Sequence, residues 1–376
     1  MSAPPAGATI LPSPTTAMAM VLESPRRLVP RELPLPVIGD DDALLRVEAC
    51  GLCGTDHEQY TGHLPSGFAF VPGHETVGII ETIGPSAARR WGVAAGDRVA
   101  VEVFQSCGNC DHCLTGTYRR CRRHGMADMY GFIPVDRPPG LWGGYSRYQY
   151  LAPDSMVLSV PDGLDPVIAT LFNPLGAGIR WGVTVPGTSK GDLVAVLGPG
   201  IRGLAAVVAA KAAGASFVMV TGCGPRDGPR LRWARRFGAD LTVDVAVEDP
   251  GKALAAATGR QADVVIDVTA KAPGALAQAI ELARPGGTVV LAGTRGSADI
   301  PGFWPDLIVF KELRILGALG VDVTAYKAAL ELLAAGTHPW EELPREVVDF
   351  GHLEELLQTM AGETRRTPPI HGVLAP

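Results

Sequence analysis

Residues 193–215 read "LVAVLGPGIRGLAAVVAAKAAGA". An apolar run stops at Gly198, three glycines follow in GxGxxG order at Gly198, Gly200 and Gly203, and an Ala-rich segment continues from Ile201 and Arg202. The first glycine permits a tight turn, the second lets backbone approach a pyrophosphate, and the third lets a helix pack on the strand. The helix start at Ile201 and Arg202 then faces the anion with unpaired N–H groups. In isolation a ligand-free strand–helix turn has the same pattern, so the surroundings decide. The apolar stretch, which runs on to Val220, is long enough to suggest a membrane span, but Gly198-Pro199-Gly200, Arg202 and Lys211 interrupt it.

Outward from this stretch, "FVMV", a helical "PRLRWARRFGAD", "DVVIDVT" and "GTVVLAG" alternate in order. Strands alternating with helices at this spacing predict βαβ units, a doubly wound parallel sheet and a dinucleotide cofactor. The second strand ends at Thr221-Gly222, where an acid would bond the adenosine ribose of NAD. Without that carboxylate a 2′-phosphate is not repelled, and Arg226 or Arg230 could contact it, which tilts the choice between NAD and NADP toward NADP. Asp227, on a longer loop, is the alternative acid.

Upstream, from about Leu44 to Tyr150, the pattern changes to short strands closed by glycine turns, a β-rich unit with Cys and His on its loops. One loop, "CGNCDHCLTGTYRRC", spaces Cys107, Cys110, Cys113 and Cys121 as CxxCxxCx7C. Adjacent CxxC pairs make poor disulfides and good chelating loops, and four thiolates close a tetrahedral site against substrate, as structural zinc requires. A second set, Cys53 with His74 and Glu75, offers two or three mixed ligands and an open position, as catalytic zinc requires, although a lone Cys and a His some distance apart are more often structural. Cys50 and Cys223 are left over and read as small hydrophobes.

The 376 residues call for about two domains. A net charge of −6 offers no footprint for nucleic acid or an anionic membrane. The opening "MSAPPAGATILPSPTTAMAM" lacks the basic and apolar regions of a secretory signal, so a cytoplasmic protein is expected.

In combination, "GLCGTD", "PGHETVG", the four-cysteine loop and "VLGPGIRGLA" resemble the zinc-dependent alcohol dehydrogenases of the medium-chain dehydrogenase/reductase superfamily, from about Met20 to the end. The Ala/Pro/Thr-rich start reads as a flexible tail over 1–17, and the resemblance implies a GroES-like catalytic domain with a structural zinc lobe over 18–158 and a Rossmann domain over 159–312. A segment over 313–376 would return to the catalytic domain. Cys53 and His74 match catalytic zinc ligands, Glu75 the neighbouring acid that can ligate or swing away, Thr55 the hydroxyl that relays the substrate proton, and Asp56 the carboxylate behind the ligand histidine. Cys107, Cys110, Cys113 and Cys121 match the structural zinc set. The third catalytic ligand, usually an acid or Cys, falls on Asn173, a poorer zinc partner. A histidine common in relatives appears as Glu58, with His57 one place earlier.

The implied chemistry is hydride exchange between an alcohol, or an aldehyde or ketone in reverse, and a nicotinamide placed near Thr269 and Gly293. Homodimers or homotetramers are usual among such relatives. The neutral Asn173 keeps open a reductase of an activated C=C or C=N bond, and a non-catalytic cofactor-binding paralogue is a further alternative. Tyr130, Phe132, Trp142, Phe303 and Trp304 are candidates to line an apolar substrate pocket.

Overall fold

The computed structural model describes residues 15–64, 67, 69–296, 299–300 and 302–376. Most of the expected tail lies outside these residues, but the tail's last two positions do not belong to a tail. A strand, Thr16–Ser24, already begins there, pairs with Arg27–Pro34, and buries Ala17.

The glycine fingerprint sits where its pattern placed it. Leu193–Leu197 is a fully buried strand, and Ile201–Ala212 is the helix that follows. Gly198 has φ of +104°, a conformation closed to most L-residues. A Cβ at Gly203 would strike the Gly198 carbonyl oxygen, so only glycine lets the helix approach the strand this closely.

Six parallel strands form the sheet around that strand, in the order Leu241–Asp244, Phe217–Gly222, Leu193–Leu197, Ala262–Asp267, Ala283–Leu291 and Arg314–Gly317. In chain order this is 3-2-1-4-5-6, the doubly wound arrangement whose crevice at the strands' C-terminal ends binds dinucleotides. Alternation along the first strand covers both faces. Val194 and Val196 pack with Leu204 and Val208 of the fingerprint helix, while Leu193, Ala195 and Leu197 pack with Leu254 and Ala279 on the other side.

The second sheet is mostly antiparallel and has seven strands, six on its main path, among them Ala43–Leu52, Glu75–Ile83 and Arg98–Val101, with Tyr148–Leu151 pairing to Ala43–Leu52 off that path. Its far members come from the chain's end: His371–Leu374 pairs antiparallel with Ala43–Leu52, matching Gly372 to Leu52. The late strand is fixed by His371, whose Nδ1 accepts from Arg345 Nε at 2.9 Å while Nε2 lies 3.1 Å from Thr170 Oγ1. Nε2 therefore carries the ring proton, and burial pushes this histidine down to about 3, which keeps it neutral. Among the described residues no helix is long and apolar enough to cross a membrane.

Candidate active site

The strand Ala43–Leu52 delivers Cys53 to the start of a short helix, Gly54–Tyr60. Cys53 Sγ accepts from Thr55 N at 3.3 Å, and Asp56 Oδ2 accepts from Cys53 N at 2.8 Å, a reciprocal cap that locks the turn. The neighbouring strand, Glu75–Ile83, begins opposite Gly51, where a Cβ would strike Glu75 Oε2; the glycine opens the space for that carboxylate.

These turns bring together the expected ligand set. Cys53 Sγ lies 3.3 Å from His74 Nε2, and one ligand atom each of Cys53, His74 and Glu75 falls within 4.8 Å of the others. Behind the histidine, Nδ1 is 3.6 Å from Asp56 Oδ1, and both of these buried atoms lack a hydrogen bond. Burial, with Asp56 adding to it, pushes the Cys53 thiol well up, and burial raises Glu75 against the opposing pull of Arg202. A cation beside this buried thiol and carboxyl would favour their charged forms, and the soft, borderline and hard donors fit zinc. Thr55 is half-buried next to Cys53. His57, two residues further along the helix, projects elsewhere and meets Glu363 at 2.8 Å.

Asn173 lies on the helix Phe172–Ile179, but its amide is engaged by protein on both sides. Nδ2 donates to Tyr326 Oη at 2.8 Å, and Oδ1 accepts from Arg202 Nη2 at 3.4 Å. The same Nη2 is 3.4 Å from Glu75 Oε1, and the guanidinium carbon stands 5.3 Å from the Trp181 ring centroid. Neither Tyr326 nor Trp181 was expected here from sequence, and Arg202 was expected only at the cofactor. A charged residue inside GxGxxG was the one available signal.

The second cysteine set forms a separate lobe. Ligand atoms of Cys107, Cys110, Cys113 and Cys121 all lie within 4.8 Å of one another, with Cys107 Sγ 3.8 Å from Cys113 Sγ. Burial raises Cys121, but the backbone N–H groups of Cys107, His124 and Arg123 outweigh it and bring the thiol to about 6. Cys110 is lowered chiefly by the N–H of Arg122. Four sulfurs gathered this closely, three of them facing backbone N–H groups, fit a closed zinc site. The lobe is tied down by Tyr118, whose Oη donates to the buried Glu102 at 2.7 Å and accepts from Val323 N at 2.7 Å.

At the fingerprint, nothing meets a Cβ placed on Gly200, so the turn has open space for phosphate. Thr221 and Gly222 end the second strand and are buried. Asp227 Oδ2 accepts from Cys223 N at 2.9 Å, which brings a carboxylate back to that strand end. Arg226 turns away and donates to the Met360 carbonyl at 3.0 Å. Thr269 N and Oγ1 both donate to Asp267, and Arg295 contacts that same buried carboxylate and the Gly293 carbonyl, a brace that sequence reading missed.

The proposed aromatic lining is not one group. Tyr130 and Trp142 belong to a core cluster, with Tyr130 Oη against Ser155 and Trp142 Nε1 bonded to the Arg137 carbonyl. Phe303 is half-buried and Trp304 exposed. Phe132 alone of these approaches the cluster, its ring centroid 6.1 Å from that of His74.

Comparison with known proteins gives the family. Residues 39–162 match the model of the alcohol dehydrogenase GroES-like domain, and residues 203–335 that of the zinc-binding dehydrogenase. The chain is 71% identical over 359 residues to the Mycobacterium tuberculosis (strain ATCC 25618 / H37Rv) protein named "Probable alcohol dehydrogenase adh", covering 95% of this chain and 98% of that one. It is 32% identical to the sorbitol dehydrogenase of Bacillus subtilis (strain 168), covering 90% and 89%. Among solved structures, a zinc-binding dehydrogenase target from Sinorhizobium meliloti 1021 bound to NADP matches with a TM-score of 0.82 at 30% identity, covering 96% of this chain and all of that one.

Proposed function

We propose that this chain, which belongs to the zinc-dependent medium-chain dehydrogenase/reductase superfamily and is therefore an oxidoreductase, exchanges a hydride between an alcohol and NAD at the Cys53 cleft. One observation carries the reading: the first turn of the dinucleotide helix reaches the metal donors, with Arg202 Nη2 3.4 Å from Glu75 Oε1. Hydride transfer needs the cofactor seat and the substrate-polarising site to adjoin, and here they share a contact.

Cys53, His74 and Glu75 would hold the catalytic zinc, and the lobe cysteines Cys107, Cys110, Cys113 and Cys121 the structural one. When bound, the catalytic zinc supplies Lewis acidity to the substrate oxygen and the nicotinamide accepts the hydride. Thr55 Oγ1 would relay the substrate proton, accepting it from the substrate oxygen as it passes its own proton outward to solvent. Asp56 orients His74 from behind, and the Cys53–Asp56 cap fixes both to one turn. Gly198, Gly200, Ile201 and Gly203 seat the pyrophosphate, Thr221 and Gly222 adjoin the adenosine ribose, and Thr269 and Gly293 stand beside the nicotinamide.

Asp227 at the end of the second strand favours NAD over NADP, because its charge repels a 2′-phosphate while Arg226 is occupied by Met360. This weighs against the tilt toward NADP drawn from Thr221-Gly222 with Arg226 or Arg230. The organisation that suits the activity is a catalytic unit over 18–158, a cofactor unit over 159–312 and a returning segment over 313–376. A reducing cytoplasm suits the thiolate lobe, and assembly as a homodimer or homotetramer is read by sedimentation.

The test is production of reduced nicotinamide from a panel of alcohols and polyols with NAD and with NADP. The account expects turnover with at least one alcohol and a higher kcat/KM for NAD. Turnover confined to activated C=C or C=N substrates would favour the alternative reductase.

A further inference from the structure

We infer that Arg202 competes with the catalytic zinc for Glu75 and Asn173, acting as a positioning residue that loosens the metal site. Nothing in the fingerprint requires a charge at this place, since a residue between Gly200 and Gly203 has only to fill the strand–helix junction. Arg202 nevertheless leaves that junction, stacks on Trp181 at 5.3 Å, and ends 3.4 Å from both Glu75 Oε1 and Asn173 Oδ1. Among the described residues it is the one ion-pair partner of Glu75, which is 2% exposed.

The donor set around it is short of negative charge. Asn173 is neutral, and its Nδ2 is committed to Tyr326. Glu75 is then the carboxylate that must serve two cations, the guanidinium on one side and the dication beside Cys53 and His74 on the other. Like charges sharing one acceptor in a buried site weaken each other's hold on it. Removing the guanidinium charge leaves Glu75 to the metal alone.

The inference rests on the reading of Cys53, His74 and Glu75 as a zinc site, and the experiment separates the two. Full-length protein is loaded with zinc and titrated with a chromophoric chelator, and the same proteins loaded with cobalt are followed by their thiolate charge-transfer and d–d bands. Compared with wild type, R202Q is expected to hold the cleft metal at least tenfold more tightly, with stronger carboxylate coordination in the d–d bands. R202K should stay near wild type, and the lobe metal should be unchanged in both. R202M, neutral and similar in length, answers the same question if R202Q does not fold. Equal or weaker cleft affinity in the folded neutral variant overturns the inference. If C53A keeps both metal equivalents, the site reading fails and the inference with it; if C53A loses one and the neutral variant is no tighter, only the inference fails.

Discussion

Both sulfur-bearing regions gather ligands within 4.8 Å, yet their surroundings act unequally on the thiols: the lobe lowers Cys110 and Cys121 while burial raises Cys113, and the cleft raises Cys53. In the lobe, backbone N–H groups lower Cys121 to about 6, whereas in the cleft burial and the neighbouring Asp56 raise Cys53. Two of the lobe's sulfurs are held toward the thiolate by backbone N–H groups, an arrangement suited to a closed structural site. The cleft leaves its ligands dependent on whichever cation is present, and it supplies one of its own in Arg202. A brace and a reaction centre thus differ less in ligand type than in what compensates the charge.

The largest expected effect breaks the brace. C121S should lose one zinc per chain and melt far below wild type, because structural zinc sites contribute about 10 kcal/mol or more in small domains. A variant that loses that zinc without a fall in Tm would remove the lobe from its structural role. In the cleft, T55A should lower kcat about 100-fold with both metals retained, since proton transfer by a positioned group contributes roughly 10²–10⁴-fold. Zinc content and kcat measured on the same sample check this.

Asp56 sharpens the contrast next. D56N keeps the cap geometry but removes the charge behind His74, and the cleft metal should weaken by about 10- to 100-fold while the lobe metal does not move. Chelator competition reads both sites in one titration.

At neutral pH the smallest effect lies away from both sites, at the returning strand, and it grows only on acidification. His371 is held at about 3 in the fold against its ordinary 6.5, so the unfolded chain takes up a proton that the folded chain refuses. Its contribution to stability is full above pH 6.5 and is lost as pH falls toward 3, at about 1.4 kcal/mol per unit. Melting curves across that window should flatten in H371Q.

The fold was legible because its signals are local. Gly198, Gly200 and Gly203 dictate a turn, and the alternation of Val194 with Ala195 requires two covered faces, whatever the rest of the chain does. Four cysteines in one loop likewise carry their own geometry. Cys53 and His74 were harder, since their meeting depends on the pairing of Gly51 with Glu75 across two strands. Least legible were Arg202, Trp181 and Tyr326 at the cleft, which converge from three separate helical segments. A side chain that leaves its own motif to pair elsewhere has no sequence period to announce it. Asn173 was noticed as an unusual residue, but its engagement by Tyr326 and Arg202 is a tertiary fact.

The most direct test of the central claim is zinc per chain measured together with reduced-nicotinamide formation in wild type and C53A. Wild type is expected to carry two zinc ions and to turn over alcohol, and C53A to carry one zinc with turnover abolished at a nearly unchanged Tm. A C53A protein that turns over alcohol at the wild-type rate, or that still carries two zinc ions, would contradict it.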